Sequence, residues 1–231
     1  MAQKVLRNVT HCIFDMDGLL LDTETLYTLA TQMVLDPYGL KYTFEVKEKV
    51  MGLQTRPVAE FMVHYYDLPM TWEEYAKHQV ENTRTLMGDA KLMPGAERLL
   101  RHLHAKKVPF ALATSSGAEM VELKTTNHRE LFDLFNHRVC GSSDKEVKNG
   151  KPAPDIFLIA AARFSDKPKP ENCLVFEDSP NGVAAGESAG MQTIMVPDPR
   201  LSKERCSHAT QVLRSLEDFK PEQFGLPAFE N

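Results

Sequence analysis

Two acidic pairs each follow a short apolar run: Asp15 and Asp17 in Asp15-Met16-Asp17-Gly18 after Ile13 and Phe14, and Glu177 with Asp178 after Val175 and Phe176. In an extended chain, residues two apart project to the same side, so Asp15 and Asp17 would face one another's neighbourhood. Close like charges invite a cation or a shared proton. Taken alone, Asp-x-Asp-Gly also fits an ordinary turn, and either acid pair also fits a helix N-cap. A calcium loop of the EF-hand kind is excluded, because Gly18 comes too early after Asp15 and an apolar run, not a helix, precedes it. Between the two pairs lie Thr114-Ser115-Ser116-Gly117 and, later, Gly150-Lys151-Pro152. Hydroxyls and backbone N–H groups near a helix start can hold an oxyanion, although such a stretch is often only a turn. A lysine is most often a solvated surface charge. In combination the four features make up what phosphoryl transfer needs: a carboxylate nucleophile, oxygen ligands for Mg²⁺, and donors with a cation around the phosphoryl oxygens.

These residues require elements that bring them together. Apolar runs recur at 11–14, 108–113, 138–140, 173–176 and 193–196, mostly without polar alternation, as strands buried on both faces of a parallel sheet do. The segments between the later runs show helical spacing: Leu99, Leu100 and Leu103, then Met120, Leu123 and Leu131, then Ile156, Phe157, Ala160 and Phe164. Strand alternating with helix predicts an α/β fold. The candidate residues then fall at or near the carboxyl ends of strands, where open α/β sheets bind ligands.

Residues 23–92 interrupt this pattern. Leu26, Ala30, Met33 and Val34 form one helical stripe, with Gly39 as a stop; Val46 and Val50 follow, with Gly52 as the next stop. Val58, Phe61, Met62 and Tyr65 make a third stripe. Thr71 to Glu74 is a capping-box pattern opening a fourth, through Trp72, Tyr75, Ala76, Gln79 and Thr83. The predicted organisation is an α/β core of residues 1–22 and 93–231, with a helical insert at 23–92.

The chain has 231 residues, 42% hydrophobic and 26% charged, with 27 Lys plus Arg against 32 Asp plus Glu and a net charge of −5. That composition predicts a folded globular protein. Without a long basic run, neither a nucleic acid polymer nor a membrane is the expected partner. A small anionic ligand needs only a few local cations. Cys12, Cys140, Cys173 and Cys206 form no Cys-x-x-Cys pair, so neither a zinc site nor a disulfide framework is indicated. Residues 1–10 hold no apolar core of signal-peptide length, and Ala2 stands where myristoylation needs glycine. A cytoplasmic monomer is the expectation.

The ordered set Asp15-Met16-Asp17-Gly18, Thr114, Lys151 and Glu177-Asp178 resembles the four motifs of the haloacid dehalogenase (HAD) superfamily. Gly18-Leu19-Leu20-Leu21-Asp22-Thr23-Glu24, with the insert that it opens, is similar to the members that carry an α-helical cap between the first and second motifs. The resemblance covers nearly the whole chain. It implies a Rossmannoid α/β core with a parallel sheet flanked by helices, and an inserted α-helical cap. It further implies that Asp15 attacks phosphorus, that Asp17 protonates the leaving oxygen and then activates water, and that Lys151 offsets charge on the phosphate and on Asp15. Mg²⁺ would be held by Asp15, the Asp17 backbone carbonyl and Asp178, with Glu177 either coordinating or orienting a bound water. Thr114, Ser115 and Ser116 would bind the phosphoryl group, and Leu53, Gln54 and Arg56 are candidate cap contacts, although Arg56 equally fits a solvated helix start.

The activity implied is a Mg²⁺-dependent phosphomonoesterase acting on a small phosphorylated metabolite. Sugar-phosphate or glycerol-phosphate phosphatases and phosphomutases of the same superfamily are the alternatives. A receiver-like phosphoacceptor or silent binding protein also pairs an acceptor Asp with acidic neighbours, a Thr or Ser and a Lys, but would show neither the second Asp at +2 nor the long insert.

Overall fold

The computed structural model describes residues 6–50 and 55–230. The apolar runs become strands: β1 (His11–Phe14), β2 (Phe110–Thr114), β3 (His137–Cys140), β4 (Cys173–Glu177) and β5 (Gln192–Met195), joined at one edge by β6 (Gln211–Val212). The helices are α1 (Thr23–Leu35), α2 (Phe44–Val50), α3 (Thr55–Tyr65), α4 (Trp72–Met87), α5 (Ala96–Ala105), α6 (Ala118–Lys124), α7 (Arg129–Phe132), α8 (Asp155–Arg163) and α9 (Pro180–Ser188). All strand pairs are parallel, in the order β3-β2-β1-β4-β5-β6. This is the α/β core that the alternating pattern predicts.

β1 is central, with Ile13 opposite Ala111 on one side and Val175 on the other. The strands leading to Asp15, Thr114 and Glu177 are therefore immediate neighbours. Helices cover both faces, which is why the strands lack polar alternation. On one face Ile13, Ala111, Val139 and Val175 pack with Ile156, Phe157 and Ala160 of α8 and Ala185 of α9. On the other, Phe14 stacks on Phe176 with ring centroids 4.4 Å apart and meets Phe110 and Phe135 edge-on. Each such side chain, fully buried, contributes about 1.5–3 kcal/mol.

The chain divides into two compact units, one running to Asp22 and resuming at Lys91, the other Thr23–Ala90. Lys91 and Leu92 stay with the sheet unit because the chain pairs with itself there. The Asp22 amide donates to the Lys91 carbonyl at 2.8 Å, the Met93 amide donates to the Leu20 carbonyl at 2.9 Å, and Leu21 bridges Leu92 in antiparallel fashion.

Within the helical unit, α1 to α4 enclose Val34, Leu35, Val46, Ala59, Met62, Leu68 and Tyr75. The Thr71 hydroxyl accepts from the Glu74 amide at 3.2 Å while the Glu74 carboxylate accepts from the Thr71 amide at 2.8 Å, completing the predicted capping box. Met33 is exposed, whereas Thr31 and Leu35 are buried. The buried face of α1 is thus rotated from the stripe that its apolar residues suggested. The stop at Gly52 lies outside the described residues.

Candidate active site

Asp15 directly follows β1, and its amide donates to the Phe176 carbonyl at 2.9 Å. This extends the sheet pairing by one residue and fixes where the carboxylate begins. Asp15 Oδ1 accepts from Lys151 Nζ at 2.6 Å, and the same ammonium donates to Glu177 Oε1 at 2.6 Å and to the Ala113 carbonyl at 3.1 Å. None of the three side chains is more than 8% exposed. Burial pushes the Asp15 carboxyl up to about 7, with Lys151 pulling it down and Glu177 and Asp17 pushing it further up. Burial by itself would lower Lys151; the two carboxylates outweigh it and hold the ammonium above its ordinary range.

One cation against two carboxylates leaves excess negative charge in a buried place, a costly arrangement unless a further cation joins it. Asp15, Glu177 and Asp178 each offer an oxygen, all within 4.8 Å of one another. A donor set made only of oxygens fits a hard divalent cation such as Mg²⁺.

Glu177 is held by the turn that opens α9. Its Oε2 accepts from the Asp178 amide at 3.1 Å, the Ser179 amide at 3.2 Å and the Ser179 hydroxyl at 3.0 Å. The Ser179 hydroxyl also caps the helix, accepting from the Gly182 amide at 3.1 Å. A Cβ at Gly182 would lie 1.8 Å from the Glu177 carboxyl group, so only glycine permits the helix to approach this closely.

A second network surrounds Asp17. Its Oδ2 accepts from the Thr114 hydroxyl at 3.3 Å and the Ser116 hydroxyl at 2.9 Å, and the Thr114 hydroxyl in turn accepts from the Ser116 amide at 3.1 Å. Ser115 is exposed, its carbonyl accepting from the Ser142 hydroxyl at 2.6 Å. The fourth member is Lys124, which the sequence reading did not single out. Its Nζ donates to Asp17 Oδ1 at 2.5 Å and to the Ser116 hydroxyl at 2.8 Å, and its side chain is 0% exposed. A lysine in the last turn of a helix reads as an ordinary complement to the helix dipole. The available signal was spacing: Lys124 lies one turn beyond Val121, and these two are the buried residues of α6, whereas Met120 and Leu123 are only partly buried.

The predicted residues thus fall into two hydrogen-bonded networks, Asp15–Lys151–Glu177 and Asp17–Thr114–Ser116, with Asp178 beside the first. Arg56 is in neither. Its guanidinium pairs with Glu60 at 2.8 Å and lies 5.1 Å from the centre of the Trp72 ring, with a side chain 68% exposed. Leu53 and Gln54 lie outside the described residues.

The model of the haloacid dehalogenase-like hydrolases matches residues 9–190. The chain belongs to that family. Over 229 residues it is 76% identical to a Drosophila melanogaster protein named "Probable pseudouridine-5'-phosphatase", covering 99% of each chain. It is 45% identical to (DL)-glycerol-3-phosphatase 2 of Arabidopsis thaliana, over 97% of this chain and 94% of that one. Among solved structures, a HAD family hydrolase from Deinococcus radiodurans R1 with bound phosphate and sodium superposes with a TM-score of 0.79 at 26% identity, covering 96% of this chain and 99% of that one. No helix among the described residues is long and apolar enough to cross a membrane.

Proposed function

We propose that the protein is a Mg²⁺-dependent phosphatase that hydrolyses pseudouridine 5′-phosphate to pseudouridine and inorganic phosphate through a phosphorylated Asp15. The observation that carries the chemistry is the buried Asp15 carboxylate, 2.6 Å from Lys151 and two residues before a second carboxylate. The substrate assignment is supported by the 76% identity to the Drosophila protein of that name.

In the first step an Asp15 oxygen bonds to phosphorus as the ester P–O bond breaks, and Asp17 gives its proton to the departing alcohol oxygen. In the second, water attacks the phosphorus, Asp17 takes its proton, and the Asp15–phosphorus bond breaks to release inorganic phosphate. Lys151 offsets charge on Asp15 and on the transferring group. The Thr114 hydroxyl, the Ser115 amide and Ser116 hold the phosphoryl oxygens in place of Asp17. Mg²⁺, held by Asp15, the Asp17 carbonyl, Asp178 and Glu177, would supply neutralisation of the phosphoryl charge when bound. Residues 23–90 serve as the cap, with Arg56 a contact for the rest of the substrate. A cytoplasmic monomer completes the proposal, and the four cysteines, all free, accord with a reducing compartment.

The test compares kcat/KM for pseudouridine 5′-phosphate, uridine 5′-phosphate, glycerol 3-phosphate and a hexose phosphate, with Mg²⁺ and with EDTA. Preference for the pseudouridine ester with loss in EDTA is the expected result. Activity unaffected by chelation or by Asp15→Ala would defeat the mechanism. A second reading, glycerol-phosphate hydrolysis, draws on the 45% identity to the Arabidopsis enzyme, and preference for that ester would replace the nucleotide assignment.

A further inference from the structure

A lysine side chain with no exposed surface is rare and requires a partner of opposite charge. Lys124 spends its ammonium on Asp17, at 2.5 Å, and on the Ser116 hydroxyl, at 2.8 Å. Ser116 closes the triangle by donating to the other Asp17 oxygen at 2.9 Å. Asp17 is thereby gripped at both oxygens, Oδ1 by Lys124 and Oδ2 by the Ser116 and Thr114 hydroxyls. The grip on Oδ2 uses the hydroxyls assigned above to the phosphoryl group. When phosphate occupies that loop, these hydroxyls turn to its oxygens, while the Lys124 ammonium, bonded to the other oxygen of Asp17, stays in place to hold it.

We propose that Lys124 is a positioning residue for the second half of the reaction, holding the Asp17 carboxylate where it takes a proton from the water that attacks phosphorylated Asp15. In that step the water oxygen bonds to phosphorus, the Asp15–phosphorus bond breaks with its electron pair returning to the Asp15 carboxylate, and one water proton passes to Asp17. In this role Lys124 acts through Asp17, to which its ammonium donates. The inference rests on the phosphatase reading above.

p-Nitrophenyl phosphate isolates the step, because its leaving group departs without needing a proton. In Lys124→Met, phosphorylation of Asp15 proceeds and hydrolysis lags. The expected result is a burst of about one p-nitrophenol per enzyme followed by turnover slowed about 10²-fold, the ordinary scale of a base contribution. KM falls along with kcat, so that kcat/KM stays within about threefold of wild type. Lys124→Arg, which keeps the charge in a different shape, recovers part of kcat. A fall in kcat/KM as large as that in kcat, with no burst, would show that Lys124 only maintains the fold or the phosphate loop. An unchanged kcat would equally overturn the proposal. Should Lys124→Met not fold, Lys124→Arg decides by the same criteria: a burst with reduced kcat and preserved kcat/KM supports the role, and wild-type kcat or a loss in kcat/KM refutes it. Wild-type protein and Asp15→Asn on the same ester test the phosphatase reading separately: absence of turnover by the wild type, or undiminished turnover by Asp15→Asn, is a failure of that reading, not of this one.

Discussion

In the sheet unit, Lys151 and Lys124 are drawn out of water against Asp15, Glu177 and Asp17, whereas in the helical unit Arg56–Glu60 and Lys77–Glu81 are paired one helical turn apart with their side chains mostly in solvent. Pairs of the second kind contribute little to stability and are screened by salt. Pairs of the first kind are expensive to form, and removing one partner strands the other. Charges buried at such cost next to the ends of three adjacent strands are what a catalytic centre requires, since the field of a fixed dipole or ion is strongest where water is excluded. That difference supports the proposed placement of the chemistry in the sheet unit.

The contrast can be broken most severely at Asp15. Asp15→Asn should reduce phosphate release by about 10⁴-fold or more, the scale of losing a nucleophile. It should not lower the melting temperature, since it removes a carboxylate that burial disfavours; a melting temperature that falls with activity would mean that Asp15 is chiefly structural. Lys151→Met should cost about 3–5 kcal/mol, because the Asp15 and Glu177 carboxylates are then buried without their cation. Urea unfolding measures that loss, and Mg²⁺ should restore part of it.

Gly182→Ala should destabilise by about 1–3 kcal/mol through overpacking against Glu177, with Mg²⁺ affinity falling as Glu177 is displaced. Calorimetric titration of Mg²⁺ reads the affinity directly. The same titration should show a pH dependence of known sign. Burial raises Asp15 to about 7, so below that pH the group carries a proton that a metal must displace. Affinity should therefore rise from pH 5 to about 7 and level off above, with proton release visible in buffers of different ionisation enthalpy; a flat profile would contradict the placement of Asp15 among the ligands. At the small end, Arg56→Ala should leave the urea midpoint unchanged, and a shift there would mean that the helical unit relies on its surface pairs after all.

The two lysines also mark what was legible in the sequence. Lys151 could be singled out because Gly150, Pro152 and Pro154 set it in a loop before a helix, in order with the acid pairs. Lys124 offers only its spacing from Val121, a weak signal, because at the end of α6 its charge satisfies local helix rules and tertiary packing is what makes it buried. Strands such as β1 and β4 could be read because both faces are covered, which removes polar residues from the run. β6, Gln211–Val212, has no such run, and it exists only through pairing with Ile194 and Met195. Met33 failed for a related reason: a helical stripe states the period of burial, but its phase depends on neighbours that the stripe does not name.

The pairing of Leu21 with Leu92, flanked by Asp22 with Lys91 and Leu20 with Met93, has an architectural consequence. The chain leaves the sheet unit and returns to it side by side, so the outgoing and incoming segments are stitched together like the two posts of a doorway. Whatever lies beyond the doorway is a detour whose length matters little to the frame, since closure entropy grows only logarithmically with loop length. A splice at this point can exchange one detour for another while the register of β1, and with it the position of Asp15, stays as it is. With residues 23–90 as the cap proposed above, specificity can then be rewritten in the sequence without rewriting the reaction.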